Sequence, residues 1–182
     1  MTRKARMQRQ IENLRATDRK ARERAEWLLI RHYASDAVEP LIEACRSEDP
    51  EVRFRAVWVL GYSKKPEAFE TILNLCDDPD EAVRYDAVLA LGKHGDPRSA
   101  AALFEIALAD DDRPAYAALS ELGPSCLSVV LPHRHSADTQ VQRVVEDICA
   151  QLADQGLEAR YVIEEALEDP DETILLIAAD SS

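Results

Sequence analysis

Asp18, Asp49, Asp80 and Asp111 follow one another at intervals of 31 residues, and the apolar positions after each keep one register. A fixed period of this length constrains the fold more than any local motif, because each unit is one supersecondary element that cannot bury its apolar face alone. Neighbouring copies must stack. The function of such a stack lies on extended surfaces rather than in a closed pocket.

The register holds column by column. Arg22, Arg53 and Arg84 recur at the same spacing, as do Ala25, Ala56, Ala87 and Ala118, and Leu29, Leu60, Leu91 and Leu122. Ile30 breaks the next column, which Gly61, Gly92 and Gly123 complete. A second set runs Met7, Val38, Phe69, Ala100; then Ile11, Ile42, Leu73, Phe104; then Leu14, Cys45, Cys76, Ala107. These columns reach back to Met7, so the array begins near the first residue.

Each unit reads as two helices. An aspartate at the N-cap accepts bonds from free first-turn amides and suits the positive end of the helix dipole, so each spaced Asp starts a helix. Val52, Ala56, Val59 and Leu60 then share one stripe of a 3.6-residue helix. Gly61 and Gly92 are expected to end their helices as left-handed C-caps. Pro66 and Pro97 suit the first turn of the next helix, which buries Phe69, Ile72, Leu73 and Cys76 in the second unit. No segment keeps the period of two that strands require.

The segments DPEVRFRAVWVLG and DEAVRYDAVLALGKHGDPRSAAALFEIAL resemble HEAT-like repeats of the phycobilisome lyase type, a resemblance that covers residues 5 to about 125. It implies an all-α fold, a right-handed α-solenoid of antiparallel helix pairs with about five repeats. Similar repeats occur in bilin lyase subunits, deoxyhypusine hydroxylases, an alkylpurine DNA glycosylase group and bacterial adaptors. The resemblance therefore implies a protein-binding scaffold or, alternatively, a bilin lyase subunit or chromophore-protein chaperone-like factor that acts with a second HEAT-like chain. Neither reading calls for a resident cofactor.

Beyond residue 123 the pattern decays. Gly123-Pro124 leaves room only for a short helix before Pro132, and His133 to Ser136 reads as a joint. Asp138 can cap a helix carrying Val141, Val144, Val145, Ile148 and Leu152, and further helices are expected over 157–168 and 174–179. Residues 1–123 thus read as regular repeats and 124–182 as divergent capping repeats of one domain.

Charge divides the chain. Residues 1–31 hold ten Lys and Arg against four acids, net +6, whereas the remainder holds twelve against thirty-one, net −19. Such asymmetry draws basic partners to the body and acidic ones to the head, and it makes self-association conceivable. No apolar run approaches the ~18 to 20 residues of a membrane span and the polar start lacks a signal-peptide core, so a cytoplasmic location is expected. The cysteine spacings match neither zinc pairs nor a disulfide framework.

Helical phase places the charge more finely. Opposite the apolar stripe of the second helices fall Asp36, Glu43, Glu67, Asn74 and Glu105, with Glu39 and Glu70 on the flank. In HEAT-like solenoids these helices line the concave side, so an acidic groove that suits a basic segment of a partner protein is expected. On the first helices Trp27, Phe54, Trp58, Tyr85 and Leu89 fall along one outer ridge, a rival contact surface unless neighbouring helices cover it. Arg22, Arg53 and Arg84 are expected to be structural, each pairing with the Asp four residues earlier and tying adjacent repeats into a ladder.

Catalytic constellations do not emerge, and a non-enzymatic protein is expected. His32, His94, His133 and His135 are not followed by the glutamate of the His-Glu pairs that the metal-dependent hydroxylases of this repeat type carry. His133, His135 and Cys126 make a weak metal set, and neither a nucleophile elbow nor a phosphate-cradling glycine loop is present. Phosphate repulsion opposes nucleic-acid binding by the acidic body. A mode through the N-terminal Arg3, Lys4, Arg6 and Arg9 remains a second alternative.

Overall fold

The computed structural model describes residues 1–110 and 113–154. Among these, every regular element is helical, as the absence of a two-residue period requires. The chain divides into two compact units, Met1–Asp96 and Pro97–Ser182.

In the first unit, α1 (Arg3–Asn13), α2 (Arg19–His32), α3 (Val38–Ala44), α4 (Pro50–Gly61), α5 (Phe69–Leu75) and α6 (Glu81–His94) form two layers. Helices α2, α4 and α6 stack side by side, while α1, α3 and α5 pack behind them, α5 preceded by the 3-10 turn Pro66–Ala68. The second unit holds α7 (Ser99–Asp110), α8 (Arg113–Leu122), the short α9 (Leu127–Val130) between two 3-10 turns, and α10 (Thr139–Asp154). Helix α10 packs on both α7 and α8.

The repeat columns are the core. Ala25, Ala56 and Ala87 have no exposed surface, nor have Leu29, Leu60 and Leu91. Small and large residues alternate along the stacked layer, so a methyl of one helix can sit beside a leucine of the next. In the second unit the same columns bury Phe104, Ala107 and Ala118, and α10 adds Val144, Val145, Ile148 and Leu152.

The spaced aspartates cap helices. Asp18 accepts from the amides of Lys20 and Ala21, Asp49 from Glu51, and Asp80 from Ala82 and Val83. Asp138 does the same for α10 through the Gln140 amide at 2.8 Å. Asp111 and the helices expected over 157–168 and 174–179 lie outside the described residues.

Two expectations need correction. Gly61 and Gly92 are not left-handed caps, because Gly61 is the buried last residue of α4 and Gly92 lies inside α6. A Cβ on Gly61 would stand 3.0 Å from the Cα, Cβ and carbonyl oxygen of Ala90, so that glycine lets α4 and α6 approach closely. The left-handed cap of α6 is Gly95, with φ 65°, three residues past the expected position. Gly123 has the same φ just after α8.

The arginine column is the second correction. Rather than pairing with the Asp four residues earlier, each arginine reaches back to carbonyls at the end of the preceding turn. Arg22 Nη1 donates to Ala16 and Thr17, Arg53 Nη1 to Ser47 and Glu48, and Arg84 Nη1 to Asp78 and Pro79, all at 2.7–3.1 Å. Turn carbonyls have no ladder partner, and a guanidinium can satisfy two at once. Arg53 also grips the buried Asp78 through two bonds of 2.8 Å, and Asp78 accepts from the Asp80 amide at 2.9 Å. Burial pushes the Asp78 carboxyl up, but the Arg53 hydrogen bond, the Asp80 amide and the charges of Arg53 and Arg84 together hold it below the usual carboxylate range.

Two stability predictions follow from these contacts. Asp78→Ala takes the carboxylate from a largely covered Arg53, which keeps only its two carbonyl bonds, and should cost roughly 2–3 kcal/mol, whereas Arg84→Ala, which loses carbonyl bonds without stranding a charge, should cost about 1 kcal/mol. Gly61→Val should cost about 1–3 kcal/mol by wedging α4 from α6. Urea unfolding of each variant measures both, and unchanged midpoints would show that these contacts carry no stability.

Candidate functional site

The second-layer helices α3 and α5 are seven residues each and bury Val38, Leu41 and Ala44, and Phe69, Ile72 and Leu75. Their polar positions Glu39, Glu43, Glu70 and Asn74 therefore face water, and Asp36 and Glu67, in the turns that precede the two helices, are also exposed. Glu105, on α7 of the second unit, is exposed as well. The surface is not a bare field of carboxylates. Arg3 of α1 donates to the Asp36 carboxylate and to the His32 carbonyl at 2.8 Å, and Glu43 pairs with Arg46 at 2.9 Å. Such exposed pairs add little stability, so both carboxylates can exchange partners at small cost.

On the first layer the aromatic positions separate into two groups. Trp27 and Tyr85 are 59% and 53% exposed, whereas Phe54, Trp58 and Leu89 are half-buried. Trp58 stacks edge-on against Tyr62 at 5.4 Å, and Trp27 against His32 at 6.1 Å. The α4 rings at the middle of the ridge are thus half-covered, and of the flanking residues Trp27 and Tyr85 stay open while Leu89 does not.

Between these rings lies a charged cluster that helical phase did not single out. Arg55 is buried on α4, bonds Glu26 of α2 at 2.8 Å, lies 3.6 Å from Glu51 and holds its guanidinium 4.7 Å from the Phe54 ring centroid. Asp86 of α6 is half-buried. Burial, reinforced by the Glu26 charge and opposed by Arg55, pushes its carboxyl up to about 6. Burial likewise raises Glu26 against the pull of Arg55. A signal for this cluster existed in the register, since Arg24, Arg55 and Asp86 occupy one column in which the third member reverses its sign.

Two concavities mark the first unit. One, of about 500 Å³, is lined by Phe54, Asp80, Glu81, Ala82, Tyr85 and Asp86 between α4 and α6. The other, of about 470 Å³, lies between α1 and α2 and gathers Arg9, Lys20 and Arg24 around Gln10, Asn13, Asp18, Ala21 and Leu28. Of the N-terminal cations, Arg9 contributes to this basic hollow while Arg3 is engaged with Asp36.

Among the described residues no group of three or more His, Cys, Asp and Glu is placed to hold a metal ion. Cys126 is fully buried whereas His133 and His135 are exposed, and His133 packs on Phe104 at 5.0 Å. Burial pushes the Cys45 and Cys126 thiols up to about 12, which keeps them protonated and unreactive at neutral pH. No helix among the described residues is long and apolar enough to cross a membrane.

The model of HEAT repeats matches residues 9–69 and 38–123. This chain belongs to the HEAT-repeat family. Among solved structures, the complex of CpcE and CpcF of phycocyanin lyase from Nostoc sp. PCC7120 is similar at 21% identity and TM-score 0.55, over 87% of this chain and 69% of that one. A designed armadillo repeat protein in complex with the peptide (KR)4 shares 16% identity over 96% of this chain and 97% of its own, with TM-score 0.47. Computationally designed armadillo repeat proteins for modular peptide recognition share 17% identity over 96% and 99%, with TM-score 0.44. No curated protein matches the chain significantly.

The Asp86 environment carries a pH prediction. Its folded pKa of about 6 lies above the unfolded value, so its stability contribution is full below about pH 4 and is lost as the pH rises through 6. Asp86→Asn should therefore gain stability over wild type between about pH 4 and 7, by roughly 1 kcal/mol after solvent screening. Parallel unfolding free energies across that range would show that the carboxylate is not destabilised.

Proposed function

We propose that this chain is a non-enzymatic interaction scaffold that holds a basic segment of a partner protein. The observation that carries the reading is the exposure, within the first unit, of Glu39, Glu43, Glu70 and Asn74 on helices whose opposite faces are buried, with Asp36 and Glu67 exposed in the turns that lead into them. Glu105, exposed in the second unit, is a separate acidic position. Within the chain itself, Arg3 already seats its guanidinium on Asp36, so this surface accepts such a group. The ridge of Trp27, Phe54, Trp58, Tyr85 and Leu89 is the second contact surface, with large rings at its open flanks that favour protein contact over solvent. The negative body would speed encounter with a cationic partner, and binding should weaken with salt.

A chromophore-handling role is the second reading, favoured by the fold's likeness to the CpcE and CpcF complex of phycocyanin lyase. Under it, the chain would work beside a second HEAT-like chain, and a bilin added to the pair should change its visible absorbance. An unchanged spectrum speaks for the scaffold alone.

Affinity capture followed by identification of the bound protein separates the surfaces. A variant with Glu39→Lys, Glu43→Lys, Glu67→Lys and Glu70→Lys should lose a partner held by the acidic positions, and Phe54→Ala with Trp58→Ala one held by the ridge, by about tenfold or more in each case. If both variants retain the partner, neither surface is the binding site.

A further inference from the structure

We infer that the concavity between α4 and α6, walled by Phe54 and Tyr85 and rimmed by Asp80, Glu81 and Asp86, seats a single arginine or lysine side chain from a basic segment of another protein. The inference rests on the scaffold reading and names the side chain recognised on the α2–α4–α6 face.

The fold contains its own precedent one helix earlier. Between α2 and α4 the Arg55 guanidinium lies over the Phe54 ring, bonded to Glu26 and near Glu51. Ring and carboxylates together make a favourable bed for a cation, one by its quadrupole and the other by charge-assisted bonds. One repeat later the ring is kept, as Tyr85 for Phe54, while Asp86 stands where Arg55 stood. The positions of Glu26 and Glu51 become Val57 and Ala82, so at the α4–α6 step the ring recurs without its cation, and the acids beside it are Asp80, Glu81 and Asp86 instead.

Asp80 caps α6, but the other two carboxylates lack a counterpart. Asp86 is half-buried, yet among the described residues no side-chain hydrogen bond or ion pair engages its carboxylate or that of Glu81. The nearest cation, Arg55, is already committed to Glu26 and Glu51. A partly desolvated acid without a partner is costly to keep. Such a cost at a concave surface marks a place where a ligand completes the pairing. Tyr85, half exposed, leaves much of its ring open to the incoming group. Arginine should outcompete lysine, because its planar fork can stack on the ring and bond two carboxylate oxygens together.

Nitrogen-15 NMR titration with an acetylated, amidated Ser-Gly-Arg-Arg-Gly-Ser peptide tests the seat, with a citrulline counterpart as the neutral isostere. The arginine peptide should shift the amides of Phe54 and of residues 80–86, and the citrulline peptide should bind about tenfold more weakly. Asp80→Asn with Glu81→Gln, which keeps an N-cap on α6, and Tyr85→Ala, at an exposed position, should each weaken binding about tenfold. Asp86 faces Glu26 from α2 and Arg55 from α4, with Asp80 and Glu81 on its own helix. Affinity should accordingly rise from about pH 5 to pH 7, and Asp86→Asn should abolish that rise. A variant that is no less stable than wild type and yet binds less is the signature of a carboxylate kept for a ligand.

Equal affinity for the citrulline peptide, or for the double and Tyr85 variants, overturns the seat. Shifts confined to α3 and α5 also overturn it while leaving the scaffold reading intact, since the basic peptide then binds elsewhere on the same protein. If the protein alone shows concentration-dependent shifts at residues 80–86 that vanish on neutralising Arg3, Lys4, Arg6 and Arg9, the occupant is a second copy, and the separate partner is overturned.

Discussion

The arginine that opens the second turn of α2, α4 and α6 is the contact on which the first unit depends. Each stands within the helix yet bonds two carbonyls five and six residues before it, so one side chain closes the turn that joins successive helix pairs. Those carbonyls lie in the turn after a short helix, where no helical amide can reach them. Because the same bond pair recurs at each step, the angle at which one helix pair follows the next is set by repetition of a single side-chain geometry. Arg53 extends the system by gripping Asp78, which in turn accepts the Asp80 amide, so the end of α5, the body of α4 and the start of α6 share one buried ionic junction.

Close stacking of the first layer decides what is left for binding. Gly61 against Ala90 brings α4 and α6 together, and the alanine column lets leucines interlock. Helices that approach this closely push the longer residues between them toward the surface. Phe54, Tyr85 and the half-buried Asp86 border the concavity there, while Arg55 stays buried beside Glu26. The second layer is different. Its helices are short and bury only one stripe, which leaves the acidic positions fully hydrated and able to exchange partners.

Much of the fold was legible because its determinants are local and repeated. The aspartate caps of α2, α4 and α6 and the alanine and leucine columns could be read from spacing, since a cap needs only its own first turn and a stripe only its own period. The glycines misled, because a glycine after an apolar run can end a helix or admit a neighbouring one, and spacing does not distinguish these. Gly61 serves the neighbour, and Gly95 ends α6. The arginines misled in the same way: the Asp at i−4 was within reach, but capping the amides of its own helix occupied it, and the carbonyls of the preceding turn offered two acceptors instead of one.

By itself the sequence determined the repeat, its helical composition, the start of each first helix among the described residues and the split between a basic head and an acidic body. These depend on period, propensity and formal charge, which are properties of the chain at close range. Only the tertiary structure decided which glycine is a contact, that Arg53 belongs to Asp78, that Trp27 and Tyr85 stay open while Trp58 is half-covered, and that Asp86 lies partly desolvated beside two rings. Those outcomes depend on how near residues one repeat apart are brought, a distance fixed by packing rather than by the spacing of letters.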